Sequence, residues 1–192
     1  MLSEDLICAI IQWTMDIGVC GLIGYEGALA LYKENRAFLD ARFPAFWIRN
    51  FLELPKKQPS AKQEATDEQC TIETGKGGSY AALWELCETL GCGCEVDIKR
   101  IPIAQEVVEI CECFDQDPYE IDSPGAWIVA GDDLEAKQVT IIGKTTDSKD
   151  RIILMGYDEK KKERAKRFLT PPERQEKDLA NSAGKDKRHG EY

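Results

Sequence analysis

Helical and strand periodicities alternate along this 192-residue chain, which predicts an α/β domain. Three observations carry that prediction. Gly75-Lys76-Gly77-Gly78 runs straight into a helical stripe of Ala81, Ala82, Leu83, Trp84, Leu86, Cys87 and Leu90, and Gly91 closes it. Glycine supplies the left-handed residue that such a helix end requires. Cys92, Cys94, Val96 and Ile98 then recur on one face of a strand. Val107, Ile110, Cys111 and Phe114 recur on one face of a helix.

The elements follow in order. Residues 1–15 form an N-terminal extension, an apolar segment with Ser3 as a candidate cap, readable as helix or strand. The run Ile17 to Ile23 ends in Gly24-Tyr25-Glu26-Gly27. A helical stripe over 28–43 carries Leu29, Leu31, Tyr32, Phe38, Leu39 and Phe43; Pro44 interrupts it, and helix resumes over 45–54. Residues 55–69 hold no large apolar side chain and read as a surface loop. Beyond Cys70 come helix 78–90, strand 93–99, helix 104–114 and strands 125–130, 138–144 and 151–156. The last two are joined by Asp147-Ser148-Lys149-Asp150 as a hairpin. The domain therefore spans 16–172, with a mobile charged tail over 173–192.

A net charge of −10 is unevenly spread. Residues 158–192 hold 11 Lys/Arg against 8 Asp/Glu, and no basic residue stands between Arg100 and Lys137. Such a body repels polyanions, so neither nucleic acid nor an anionic membrane is an expected partner. The N-terminus lacks a basic leader, and its apolar run is broken at Gln12 and Asp16. A cytoplasmic address with reduced cysteines is expected. Cys92-x-Cys94 and Cys111-x-Cys113 have one intervening residue where zinc pairs have two to four. They read as core, not as a metal site. The single histidine, His189, lies in the tail, so no catalytic residue is assigned. Glu106 and its acidic neighbours read as a solvated face, Trp84 and Trp127 as core.

The glycine-rich turn admits two readings. A helix N-terminus presents unpaired N–H groups and the positive end of the helix dipole, which favour an anion, and Lys76 adds a cation. Equally, the glycines can let helix and strand pack closely; the turn taken alone reads as the latter.

Several collinear strings change that balance. Ile23-Gly24-Tyr25-Glu26-Gly27-Ala28-Leu29-Ala30-Leu31, Glu73-Thr74-Gly75-Lys76-Gly77-Gly78 and Glu95-Val96-Asp97-Ile98-Lys99-Arg100-Ile101-Pro102-Ile103 occur in order. After them come Asp117-Pro118-Tyr119, Ser123-x-Gly125-Ala126, Ile142-Gly143-Lys144 and Phe168-Leu169-x-Pro171-Pro172. Over residues 16–172 they resemble the C-terminal domain of the AIR-synthase-related (PurM-like) proteins, with a HypE-like hydrogenase-maturation branch as the best match. The superfamily also includes aminoimidazole-ribonucleotide synthase, selenophosphate synthetase and thiamine-monophosphate kinase.

The resemblance implies a three-layer α/β/α domain, a mixed sheet with flanking helices. By position it makes Thr74, Gly75, Lys76, Gly77, Gly78 and Ser79 an anion loop for a phosphate- or nucleotide-type ligand. Three departures qualify it. The family's N-terminal ATP-binding domain has no counterpart here, so Mg-ATP is expected only if a partner supplies that half, and no activity is expected of the chain alone. Glu73 stands where aspartate is usual. The helix expected between Val129 and Val139 is shortened near 131–138, leaving sheet surface for a partner or for self-association. The expected function is a stand-alone PurM-like domain binding a small anion and needing a separate ATP-binding half. The alternative is a non-catalytic interaction module or a remnant.

Overall fold

The computed structural model describes residues 14–57, 70–132, 134, 139–158 and 162–172. The extension over 1–13, most of the 55–69 loop and the 173–192 tail with His189 lie outside the described residues. The elements are β1 (Asp16–Cys20), α1 (Tyr25–Glu34), α2 (Arg36–Arg42), α3 (Ala45–Leu52), α4 (Leu54–Lys57), β2 (Cys70–Glu73), α5 (Gly78–Leu90), β3 (Gly93–Asp97), α6 (Gln105–Glu112), β4 (Trp127–Gly131), β5 (Thr140–Thr146), β6 (Arg151–Asp158) and β7 (Glu163–Phe168). The α/β architecture is the expected one, a mixed sheet with flanking helices.

Seven strands form one sheet in the order β2-β4-β1-β5-β3-β6-β7. Among the described strands β3 and β6 pair in parallel, and the other pairs are antiparallel. The expected hairpin between β5 and β6 is not formed. β3 lies between them, pairing Glu95 with Lys144 on one side and with Ile152 on the other. Its Gly143 neighbour permits this closeness, since a Cβ there would stand 2.2 Å from the Glu95 carbonyl oxygen.

One sheet face is apolar along its length. Ile17 and Val19 of β1, Ile128 and Ala130 of β4, Ile142 of β5, Cys94 and Val96 of β3 and Ile153 of β6 are buried there against Leu83, Leu86 and Cys87 of α5. Alternate residues point inward because the strand period is two. A second cluster unites Tyr25, Ala28 and Tyr32 of α1, Leu39 of α2, Ile48 and Phe51 of α3, and Val107, Ile110 and Cys111 of α6. The Phe51 ring lies 5.3 Å from Tyr25 and 6.0 Å from Tyr32. Ile103 packs against both clusters and joins them. On the opposite sheet face Val129, with Trp127 and Ile141, meets Leu134 and Val139. The shortened helix expected near 131–138 falls largely outside the described residues.

Local chemistry explains where elements end. The predicted helix over 28–43 is two helices. Asn35, at φ −119°, breaks it, and its side-chain amide donates to the Leu31 carbonyl. Residues 55–57, expected as loop, complete the short α4. The strand expected to reach Lys99 stops at Asp97, whose carboxylate accepts the Lys99 N–H and caps a 3-10 turn over Ile98–Arg100. Neither β2 nor β7 was expected. β7 reads ERAKRF, a charged edge strand, as edges that avoid aggregation tend to be.

Candidate functional site

The turn Thr74–Gly77 joins β2 to α5 and is built on a second loop, residues 117–125, that precedes β4. Thr74 is fully buried. Its N–H donates to the Ala126 carbonyl at 2.9 Å, and its hydroxyl reaches the carbonyls of Ser123 and Ala126 at 2.7 and 3.0 Å. In return the Ser123 N–H is shared between the carbonyls of Thr74 and Gly75. The Ser123 hydroxyl accepts from the Gly24 N–H at 2.7 Å and donates to the Ile121 carbonyl at 3.0 Å, so the start of α1 is fixed to the same loop. Asp117 starts this loop with an Asx turn, its carboxylate accepting the Tyr119 N–H at 2.9 Å.

Gly77 and Gly78 both take left-handed backbone, at φ 79° and 63°. A Cβ on Gly78 would stand 2.5 Å from the Tyr119 carbonyl oxygen and 2.6 Å from that of Ile121. Glycine is therefore required at 78 by both conformation and space. At Gly75 nothing lies within 4 Å of an added Cβ.

The donors at the start of α5 have partners within the chain. The Gly77 N–H donates to the Asp122 carboxylate at 3.0 Å, and the Gly78 N–H to the Gly75 carbonyl. The Tyr119 carbonyl accepts from the Ser79 N–H at 2.9 Å, from the Ser79 hydroxyl at 3.0 Å and from the Tyr80 N–H at 3.4 Å. Asp122 thus puts a carboxylate where the helix dipole favours negative charge. Glu73 accepts the Gly125 N–H at 3.0 Å and ties β2 to the head of β4. Its longer side chain spans that gap.

All six residues expected to form the anion loop are therefore contiguous at one end of the sheet. Thr74, Gly78 and Ser79 are buried, Gly75 and Gly77 half-buried and Lys76 exposed. Asp122 and Tyr119, which complete the arrangement, were not foreseen; 45 residues separate Asp122 from Gly77, and no local pattern links them. Beside the site is a small cavity of about 150 Å³ lined by Gly21, Leu22, Tyr25, Glu26, Pro55, Pro124 and Gly125.

Behind the turn, Arg167 of β7 lies 4.7 Å over the Tyr80 ring and pairs with Asp117 at 3.1 Å and with Glu120. Tyr80 is stacked 5.6 Å from Tyr119, and burial raises its hydroxyl's pKa far above the ordinary tyrosine range. Cys94 and Cys111 take the expected core positions, buried like Cys20 and Cys87, whereas Cys92 and Cys113 are only half-buried. Burial pushes Cys111 up to about 11, too high for a thiolate at neutral pH. Trp84 carries the Arg151 guanidinium 3.7 Å over its ring, and that cation also pairs with Glu88. Among the described residues no cluster of His, Cys, Asp and Glu has metal-binding geometry, and no helix is long and apolar enough to cross a membrane.

No protein-family profile matches the sequence. A stretch of 61 residues is 34% identical to the carbamoyl dehydratase HypE of Rhodobacter capsulatus, covering 32% of this chain and 18% of that protein. The fold is similar to that of Escherichia coli HypE, a hydrogenase maturation protein, with a TM-score of 0.59 over 82% of this chain and 50% of that one, at 20% identity. HypE solved in complex with HypF gives a TM-score of 0.58 at 18% identity, covering 82% and 53% of the two chains. HypE solved in complex with ATP gives 0.58 at 16% identity over 82% and 50%. The chain thus spans about half the length of these structures.

Proposed function

Because this chain carries the HypE-like fold of the AIR-synthase-related proteins over 82% of its length, we propose that it is one half of a composite site. It supplies the turn Thr74–Ser79 to a small phosphate- or nucleotide-type anion, and a separate ATP-binding half supplies Mg-ATP and the chemistry. The observation that carries this reading is the construction of the turn. Thr74 and Ser123 lock the base of the turn, and the two consecutive left-handed glycines that follow set the Gly77 N–H at the Asp122 carboxylate, with exposed Lys76 alongside. In the isolated chain Asp122 holds the place of the anion. A ligand bound there displaces one carboxylate–amide contact and gains the dipole and Lys76 in exchange.

A thermal-shift series with phosphate, sulfate, Mg-ATP and ADP tests this on the wild type, Lys76→Ala and Asp122→Asn. Asparagine keeps an acceptor for the Gly77 N–H but removes the charge. The expected result is a rise in Tm with anion, lost in Lys76→Ala and reached at lower concentration in Asp122→Asn. A hundredfold excess over Kd corresponds to about 2.7 kcal/mol, or about 5–11 °C for a chain of this size.

One observation favours a second reading, a non-catalytic interaction module or remnant. The N–H groups of Gly77, Gly78, Ser79 and Tyr80 are already satisfied within the chain. On that reading the turn is structural, and no anion shifts Tm in any of the three proteins.

A further inference from the structure

We propose that the groove between α1–α2 and α3–α4 docks an acidic, amphipathic helical segment of a partner protein. The groove, about 570 Å³, is remote in sequence from the glycine-rich turn, and the proposal stands whether or not that turn binds an anion.

Its floor and rim come from one side of a helix. Ala45, Ile48, Arg49 and Leu52 of α3 follow the spacing i, i+3, i+4, i+7, and Lys56 of α4 continues the line. A stripe with that spacing ordinarily faces a partner element. Here Ile48 is buried but Leu52 remains 42% exposed, so the stripe is half used by the chain's own core. Arg36 stands on the facing wall.

Charge selects the occupant. The groove is lined by Arg36, Arg49 and Lys56 against Asp40 and Glu53, a balance of +1 in a chain whose net charge is −10. Asp40 is engaged by the Tyr32 hydroxyl at 3.0 Å and by Arg36 at 3.3 Å. Arg49 and Lys56 have no carboxylate partner among the described residues. Glu53, which also lines the groove, leaves the rim net basic. With eight residues, α3 runs for about 12 Å at 1.5 Å per residue, enough for two turns of a docked helix presenting two or three apolar anchors. A segment of that width senses the groove's local charge, since fields decay over about 8 Å at physiological salt. A planar anionic bilayer would also face the strongly acidic remainder of the chain and be repelled.

The test uses the whole chain and a fluorescein-labelled peptide of about 18 residues, with leucine at i, i+3, i+4 and i+7 and glutamate elsewhere. The controls replace every glutamate by lysine, or every leucine by alanine. Fluorescence anisotropy is expected to show binding of the acidic peptide that weakens as salt rises, and none of either control. The charge reversal Arg49→Glu/Lys56→Glu and, separately, Leu52→Ser change exposed residues; each weakens binding roughly tenfold or more, with the far-UV CD spectrum unchanged. The proposal is overturned if the acidic peptide fails to bind at about 1 mM, or if the lysine peptide binds as well. It is equally overturned if phosphatidylglycerol vesicles take up the chain through the same residues. A dimer abolished by Arg49→Glu/Lys56→Glu would assign the groove to a second copy instead.

Discussion

Thr74 and Asp122 share the work of holding the glycine-rich turn, and they do so by different physics. Thr74 is fully buried, and its hydroxyl serves two carbonyls that no water reaches from that side. Thr74→Val keeps the shape and removes the donor, so it should cost about 1–3 kcal/mol in chemical denaturation, the penalty for leaving buried acceptors unsatisfied. Asp122 lies at the surface, so its removal changes charge at the turn more than it changes stability. The glycines separate just as sharply. Gly78→Ala combines left-handed strain with a Cβ driven against two carbonyl oxygens, and a loss of about 2–5 kcal/mol is expected. Gly75→Ala meets nothing within 4 Å and should stay within about 0.5 kcal/mol of wild type. Equal destabilisation by the two would contradict this account of the turn.

At the scale of elements, the β3-β6-β7 end of the sheet depends on a link that sequence spacing does not reveal. Arg164 of β7 reaches across β6 to Asp97 at the end of β3, making two contacts of 2.8 and 2.6 Å, and also donates to the carbonyls of Leu154 and Met155 where the β6–β7 register shifts. The Arg164 hydrogen bonds, followed by the Lys99 N–H, lower the Asp97 pKa to about 2 from 3.8. A carboxyl depressed in the folded state contributes stability above its unfolded pKa and loses it as pH falls through its folded one. The contribution of this pair is therefore present at neutral pH and disappears between roughly pH 4 and 2. Asp97→Asn should lower Tm at pH 7 and leave it nearly unchanged at pH 2; an equal loss at both would assign Asp97 a packing role. This link also shows what the sequence hides. Helix 78–90 was legible because both its ends carry left-handed glycines and its stripe is continuous. The paired neighbours of β3 were not, because adjacency of β5 and β6 in the chain suggests a hairpin while β3, more than 40 residues earlier, takes the place between them. β7 escaped notice because a charged edge strand looks like tail, and β2 because only four residues separate an uninformative loop from the turn. In the site, local glycine chemistry marked Thr74–Ser79, whereas Asp122 and Tyr119 enter through contacts that only the folded chain makes.

For the molecule as a whole, the single sheet is what makes three clusters behave as one. β4 places Trp127 and Val129 on one face and Ile128 and Ala130 on the other, so neither face can open without pulling the same strand. Ile103 in turn couples the sheet core to the helical cluster. Three tryptophans report on these regions separately. Trp47 stacks 4.0 Å from Phe43 in the helical cluster, Trp84 packs against the sheet core under Arg151, and Trp127 lies on the second face. Variants retaining one of these three, with the other tryptophans changed to phenylalanine, should unfold in urea with fluorescence midpoints that agree with each other and with far-UV CD. Such coincidence is the mark of one cooperative unit. A Trp127 midpoint clearly below the other two would show the second face opening by itself. It would mean that Leu134 and Val139 alone do not hold that surface.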